Sequence, residues 1–238
     1  VVDAFMDDAQ EAETLLRQVE ADLAQGISKF LLFGVPARKQ DRDFSHAATS
    51  DIIATVRRRF GSDIWLAVDV CLCSHTTHGH CGILNDNRDH VLNGTSVSAL
   101  ADAALQFAQA GADCVAPSDM QDGRVAAIRT ALDQTGLERQ AIMSYAAKFN
   151  SAFYGPFRLA AESAPGRDLP LRDRASYQID PARPADALLC AERDAAEGAD
   201  ILMVKPGLPY LDMLGELSAR IPKPWAVYQT SGEQAGID

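Results

Sequence analysis

Positive charge is scarce in this chain. Its 238 residues carry 22 Lys and Arg against 33 Asp and Glu, a net charge of −11 at pH 7. A nucleic-acid partner needs a basic face to neutralise phosphates, so that class is set aside. Long apolar runs are missing too: none approaches the ~20 residues of a membrane span. The opening residues are acidic, unlike the basic start of a secretory signal. Cysteine is sparse, five in all, and three of the five share one loop, which is not a disulfide framework. The expected setting is therefore reducing, that is, cytoplasmic. No G-x-G-x-x-G follows a strand and no Walker-type phosphate loop occurs, which counts against a nucleotide-binding open sheet. The hydrophobic fraction of 47% is that of an ordinary globular core, and one domain over 1–238 is expected.

What the chain does have is concentrated in fourteen residues, Asp69-Val70-Cys71-Leu72-Cys73-Ser74-His75-Thr76-Thr77-His78-Gly79-His80-Cys81-Gly82. Three thiols at this spacing, leaving an apolar strand, have the form of a three-thiolate metal site. Three protein ligands leave a fourth position open, and an open position separates catalytic from structural zinc. His78 and His80 are open to two readings, as ligands of a mixed site or as groups that orient the loop and donate hydrogen bonds to the thiolates. Cys114, in an apolar run, reads as a small buried hydrophobe, and Cys190, in a helical pattern, as a structural residue without a chemical role. His46 and His90 read as ordinary loop residues.

Along the chain, amphipathic helical stretches alternate with short apolar runs. Strands are expected at 30–35, 64–70, 114–117, 141–145, 201–204 and 225–228, and helices at 11–25, 50–60, 98–110, 124–134, 184–197 and 210–220. Six strands alternating with helices imply right-handed crossovers and a parallel α/β sheet. Continuously apolar strands suit a sheet covered on both faces. An open sheet and a closed barrel both satisfy the pattern, but polar or reactive residues end nearly every strand: Asp69 and Cys71, Ser118 and Asp119, Lys148, Lys205, then Tyr228 and Ser231. Barrel enzymes gather their active sites at that end.

A single lysine at a strand end is ordinarily a snorkelling surface charge. Two at equivalent ends, both in apolar and aromatic surroundings, argue for chemistry. Desolvation and a neighbouring cation favour a neutral amine, and a neutral amine attacks a ketone or aldehyde to give a Schiff base. Arg158 follows the rigid aromatic stretch Phe153-Tyr154-Gly155-Pro156-Phe157, and Arg174 and Gln178 lie in a long loop from Ser163 to Asp180. Long loops without secondary structure often serve as lids, and arginine grips a carboxylate with two parallel hydrogen bonds.

At this point the chain resembles the porphobilinogen synthase (5-aminolevulinate dehydratase) family. The resemblance rests on Phe33-Gly34-Val35-Pro36, Asp69 to Gly82, Ala116-Pro117-Ser118-Asp119-Met120, Asp122-Gly123-Arg124-Val125, Met143 to Arg158, Met203 to Asp212, and Tyr228-Gln229-Thr230-Ser231-Gly232-Glu233. It implies a TIM (β/α)8 barrel enzyme, a hydro-lyase of haem and tetrapyrrole synthesis, that condenses two 5-aminolevulinate molecules to porphobilinogen with loss of two waters. Lys205 matches the Schiff-base lysine of the P site and Lys148 the second lysine, at the A site. Arg158, Arg174 and Gln178 match the A-side carboxylate clamp, Ser231 a P-side carboxylate contact, and Asp69 and Ser118 the residues holding the P-side amino group. Cys71, Cys73 and Cys81 match the ligands of the zinc-dependent branch.

The resemblance also implies differences. A tyrosine usual after the second Cys is His75 here, and Asn93-Gly94-Thr95 replaces a usual Asn-Asp-x-Thr. Cys190 stands where many bacterial members have a glutamate of an allosteric magnesium site, so that site is expected to be absent. Six strands match the second to seventh of eight, so the barrel is expected to be incomplete, lacking first and last strands and the N-terminal arm. Such a segment has two unpaired edges, and the family's homo-octamer is expected of a full-length parent rather than of this segment alone. Competing readings are a Schiff-base aldolase on a similar barrel, which has no need of the three-Cys loop, and an inactive truncated zinc-binding fragment.

Overall fold

The computed structural model describes residues 9–166 and 168–236. Helices and strands alternate as α1 (Ala9–Ala24), β1 (Lys29–Leu32), α2 (Ala47–Phe60), β2 (Trp65–Val70), α3 (Asn93–Gln109), β3 (Cys114–Pro117), α4 (Arg124–Gln134), β4 (Ala141–Lys148), α5 (Gly155–Ala160), α6 (Ala185–Ala196), β5 (Ile201–Lys205), α7 (Leu211–Arg220), β6 (Trp225–Val227) and α8 (Ser231–Gln234). The short helices α5 and α8 were not expected. The six strands form one parallel sheet in sequential order, β1 to β6. Sequential parallel order is the signature of a barrel rather than of an open sheet whose order reverses. Among the described residues β1 and β6 are edges, so the six strands make an incomplete barrel.

Two apolar layers follow from strand alternation. On the outer face Phe30, Leu66, Val68, Ile142, Leu202 and Val204 pack beneath the helices. The inner face is smaller, built from Leu31, Phe33, Ala67, Ala116, Met143, Tyr145, Met203 and Tyr228. On the helix-covered side of the sheet the Arg124 guanidinium is fully buried. It reaches Asp194 at 2.9 Å and Asp119 at 3.5 Å, and donates to Ser144 Oγ at 2.9 Å. This network ties the start of α4 to β4 and α6.

One irregularity positions the site. The β4–β5 pairing runs Ser144 to Leu202 and then Ala147 to Val204, so β4 holds one residue more than its partner. Such a bulge reverses which face the following residues present. Ile142 and Ala146 lie on the outer face, and strict alternation would put Lys148 there too. With the bulge Ala147 takes the outer position, and Lys148 turns inward opposite Lys205.

Candidate active site

Both lysines are buried, at 5% and 3% exposure. Lys205 Nζ sits in an aromatic box, 3.5 Å from the Tyr228 ring centroid, 4.8 Å from Phe157, 5.3 Å from Tyr145 and 5.5 Å from Tyr154. Ring faces attract a cation and also exclude water from it. Lys148 Nζ lies 5.6 Å from the same Tyr145 ring and donates to the Ser118 carbonyl. The Tyr154 hydroxyl, at 2.6 Å from the Phe149 carbonyl and 3.1 Å from that of Lys205, joins the ends of β4 and β5. Asp69 shares this inner face. Desolvation, then negative charge at the Cys73 sulfur, push its carboxyl up to about 7, against the opposing pull of Lys148, a Ser118 hydrogen bond and Lys205.

Cys71, Cys73 and Cys81 are buried with their sulfurs within 4.8 Å of one another, the single such cluster of potential metal ligands among the described residues. Hydrogen bonds from the Cys71 and Cys81 thiols, then the Arg174 and Lys148 cations, hold Cys73 well below the usual thiol range. Cys71 is pushed well above it by its bond to Cys73. The Cys73 N–H also donates to Cys71 Sγ at 3.5 Å. Three soft donors, with no histidine or carboxylate completing the set, fit zinc with a position left over.

Above the thiols the 163–180 loop supplies cations. Arg174, 2% exposed, donates from Nη2 to the carbonyls of Gly79 (2.8 Å) and Ser163 (2.6 Å), and its Nε has no protein partner. Gly79 has φ +73°, and a Cβ there would strike the Ala164 carbonyl, so glycine is what allows the two loops to touch. Arg158 is half-buried over the Tyr154 ring at 5.5 Å. Desolvation and then Arg174 lower its pKa. Arg158 Nε and Nη2 and both amide atoms of the buried Gln178 are likewise unpartnered. Ser231 is the exposed first residue of α8. Two residues on, buried Glu233 accepts from the Leu208 and Thr230 N–H groups at 2.6 Å each, joining the loops after β5 and β6.

The histidines resolve into two roles. His78 and His80 lie outside the sulfur cluster. The His80 ring bonds the Leu171 carbonyl and the Tyr177 hydroxyl, each at 3.0 Å, and the same hydroxyl accepts from the Cys81 N–H at 3.3 Å. His80 and Tyr177 therefore fasten the 163–180 loop to the thiol loop. No spacing rule could have found Tyr177, a loop residue nearly a hundred positions away. His46 is not an ordinary loop residue: it is 3% exposed, with Nδ1 3.2 Å from His75 Nε2. Burial pushes both rings down to about 4, so both are neutral near pH 7. His90 is exposed and bonds its neighbour Asp89.

Fold and site together define a class, a (β/α)-barrel protein with paired inward lysines beside a buried three-thiol loop. The family model for delta-aminolevulinic acid dehydratase matches residues 6–238, and the chain belongs to that family. It is 49% identical over 211 residues to the delta-aminolevulinic acid dehydratase of Methanothermobacter thermautotrophicus, covering 88% of this chain and 63% of the relative. It is 47% identical over 219 residues to that of Bos taurus, covering 89% and 65%. The crystal structure of delta-aminolevulinic acid dehydratase (porphobilinogen synthase) from Toxoplasma gondii ME49, in complex with the reaction product porphobilinogen, superposes with a TM-score of 0.87. Its sequence identity is 37%, over 95% of this chain and 65% of that one. The chain thus spans about two thirds of the length of these relatives. No helix among the described residues is long and apolar enough to cross a membrane.

Proposed function

We propose that this chain carries the catalytic face of a porphobilinogen synthase, a zinc-dependent hydro-lyase that joins two 5-aminolevulinate molecules with loss of two waters. The observation that carries the reading is the bulge-directed pair of inward lysines next to three clustered thiols, in a chain of this family.

In this reading the Lys205 amine adds to the ketone of the first substrate and water leaves, forming an imine that withdraws electrons from the adjacent carbons. The aromatic box keeps bulk water from the imine. Lys148 assists at the second ketone or forms its own imine there. Asp69 and the Ser118 hydroxyl hold the first substrate's amino group, and Ser231 contacts its carboxylate. The unpartnered donors of Arg158, Arg174 and Gln178 are suited to the second carboxylate. Holding both substrates turns a bimolecular C–C and C–N bond formation into an effectively intramolecular one. Zinc held by Cys71, Cys73 and Cys81 would supply Lewis acidity toward the second substrate.

The test is borohydride trapping. Treatment with 5-aminolevulinate and borohydride should add substrate mass at Lys205. Labelling that survives Lys205→Ala and never appears at Lys148 would refute the assignment.

A further inference from the structure

We propose that His46 and His75, with Ser74, form a tautomer-locked hydrogen-bond chain that holds the thiol loop in its metal-binding shape, His46 acting as a positioning residue for the metal ligands. The inference rests on the reading of Cys71, Cys73 and Cys81 as ligands.

The argument is one of counting protons. Ser74 Oγ donates its only hydrogen to the Gly34 carbonyl at 2.9 Å. It also lies 3.2 Å from His75 Nδ1, and having no second hydrogen to give it must accept there. His75 therefore carries its proton on Nδ1. A neutral imidazole has one ring proton, so His75 Nε2 is a lone pair, and the 3.2 Å contact with His46 Nδ1 requires the proton on that nitrogen. Both rings are thereby fixed as the Nδ1–H tautomer, and the chain runs one way, from His46 through His75 and Ser74 to Gly34.

Both ends of this chain are anchored. Gly34 ends against α2, where any side chain would collide with Thr49. His46 is the residue that caps α2, yet its side chain makes no capping bond to the helix. Serine, threonine, aspartate and asparagine are the usual choices for that task, and here the side chain is directed at the thiol loop. The Phe107 ring meets the His46 ring edge-on at 5.6 Å and Phe44 meets His75 at 6.2 Å, so each imidazole packs against an aromatic neighbour. The backbone reinforces the junction: Gln40 N–H donates to the His75 carbonyl at 2.8 Å, and Asp41 accepts from both Thr77 N–H and its hydroxyl. His75 follows Cys73 by two residues, so the chain fixes the exit path of the second thiol. Partners outside the ligand set that orient ligands commonly govern metal affinity by ten- to a hundredfold.

Two measurements test this. Long-range 15N correlation spectra of histidine-labelled protein should show His46 and His75 both protonated at Nδ1. An Nε2–H signal from either ring would overturn the chain. Zinc affinity, read by competition with a chromophoric chelator, should fall about tenfold in His46→Ala. It should be restored in His46→Asn, whose amide N–H occupies the place of Nδ1–H, and not in His46→Gln, which reaches too far. Wild-type affinity in all three variants would overturn the positioning role while leaving the metal site and the proposed activity intact. Failure of the wild-type protein to bind zinc would overturn both readings, and unchanged borohydride trapping at Lys205 separates that result from loss of the lysine chemistry.

Discussion

Asp119 gives the sharpest test of how charge is arranged behind this site. Its carboxyl is fully buried. Desolvation pushes its pKa from 3.8 up to about 6, against the pull of Arg124 and the Gln121 N–H. Arg124 is shared, and Asp194 takes the closer contact at 2.9 Å against 3.5 Å for Asp119. A group whose folded pKa is raised contributes stability below its unfolded pKa and loses it as pH rises through the folded value. For Asp119 the window is about pH 4 to 6, with folded protein holding a proton that unfolded chain has released. Full ionisation on folding costs about 3 kcal/mol, two pKa units at roughly 1.4 kcal/mol each. Between pH 5 and pH 8 the part expressed is about 1.4 kcal/mol, because at pH 5 about ten in eleven folded molecules are protonated there. Asp119→Asn removes this titration and keeps an oxygen for the Gln121 N–H, bonded at 2.7 Å. Urea unfolding at pH 5 and pH 8 should show the stability of wild type relative to the variant falling by about 1.4 kcal/mol toward pH 8. Parallel stabilities at the two pH values, or a wild type gaining on the variant at pH 8, would refute the reasoning.

Three further outcomes are expected. Asp194→Ala deprives the buried Arg124 of its nearer carboxylate and should cost about 3–5 kcal/mol in urea unfolding; a loss under about 1 kcal/mol would show that Asp119 suffices. Tyr177→Phe deletes the hydroxyl that serves both His80 and Cys81, a loss of about 1–3 kcal/mol. Limited proteolysis within residues 163–180 should accelerate about tenfold or more, and an unchanged cleavage rate would count against the fastening role. On the proposed reading, chelation should abolish porphobilinogen formation by the full-length parent and zinc should restore it, whereas full activity of that parent as metal-free Cys71→Ala protein would remove the metal from the mechanism.

Much of the architecture was legible before any coordinates. The strand at Cys114–Pro117 and the helix at Arg124–Gln134 fall where apolar runs and glycine stops put them, since local periodicity and helix ends are properties of neighbouring residues. Strand ends were less secure. The fourth strand runs three residues past its expected end, through Lys148, where the lysine amine bonds the Ser118 carbonyl and lies near the Tyr145 ring. The short helices α5 and α8 carry too few residues for a periodic signal, and α8 is held by a capping box between Thr230 and Glu233.

The reactive inventory, three thiols in one loop, two lysines at strand ends and two arginines near a long loop, was likewise written in residue types and spacing, because chemistry belongs to side chains. Which of them meet was not. Strict alternation along β4 assigns Lys148 to the outer face, and only the extra residue in the β4–β5 pairing turns it toward Lys205. His46 has no sequence signal linking it to His75, 29 residues away, and Tyr177 none linking it to Cys81. A bulge depends on the register of two strands, and a cross-loop hydrogen bond on the folding of distant segments. The sequence by itself determined the elements and the chemical groups; only the tertiary structure decided the faces they share and the hydrogen bonds they make across loops.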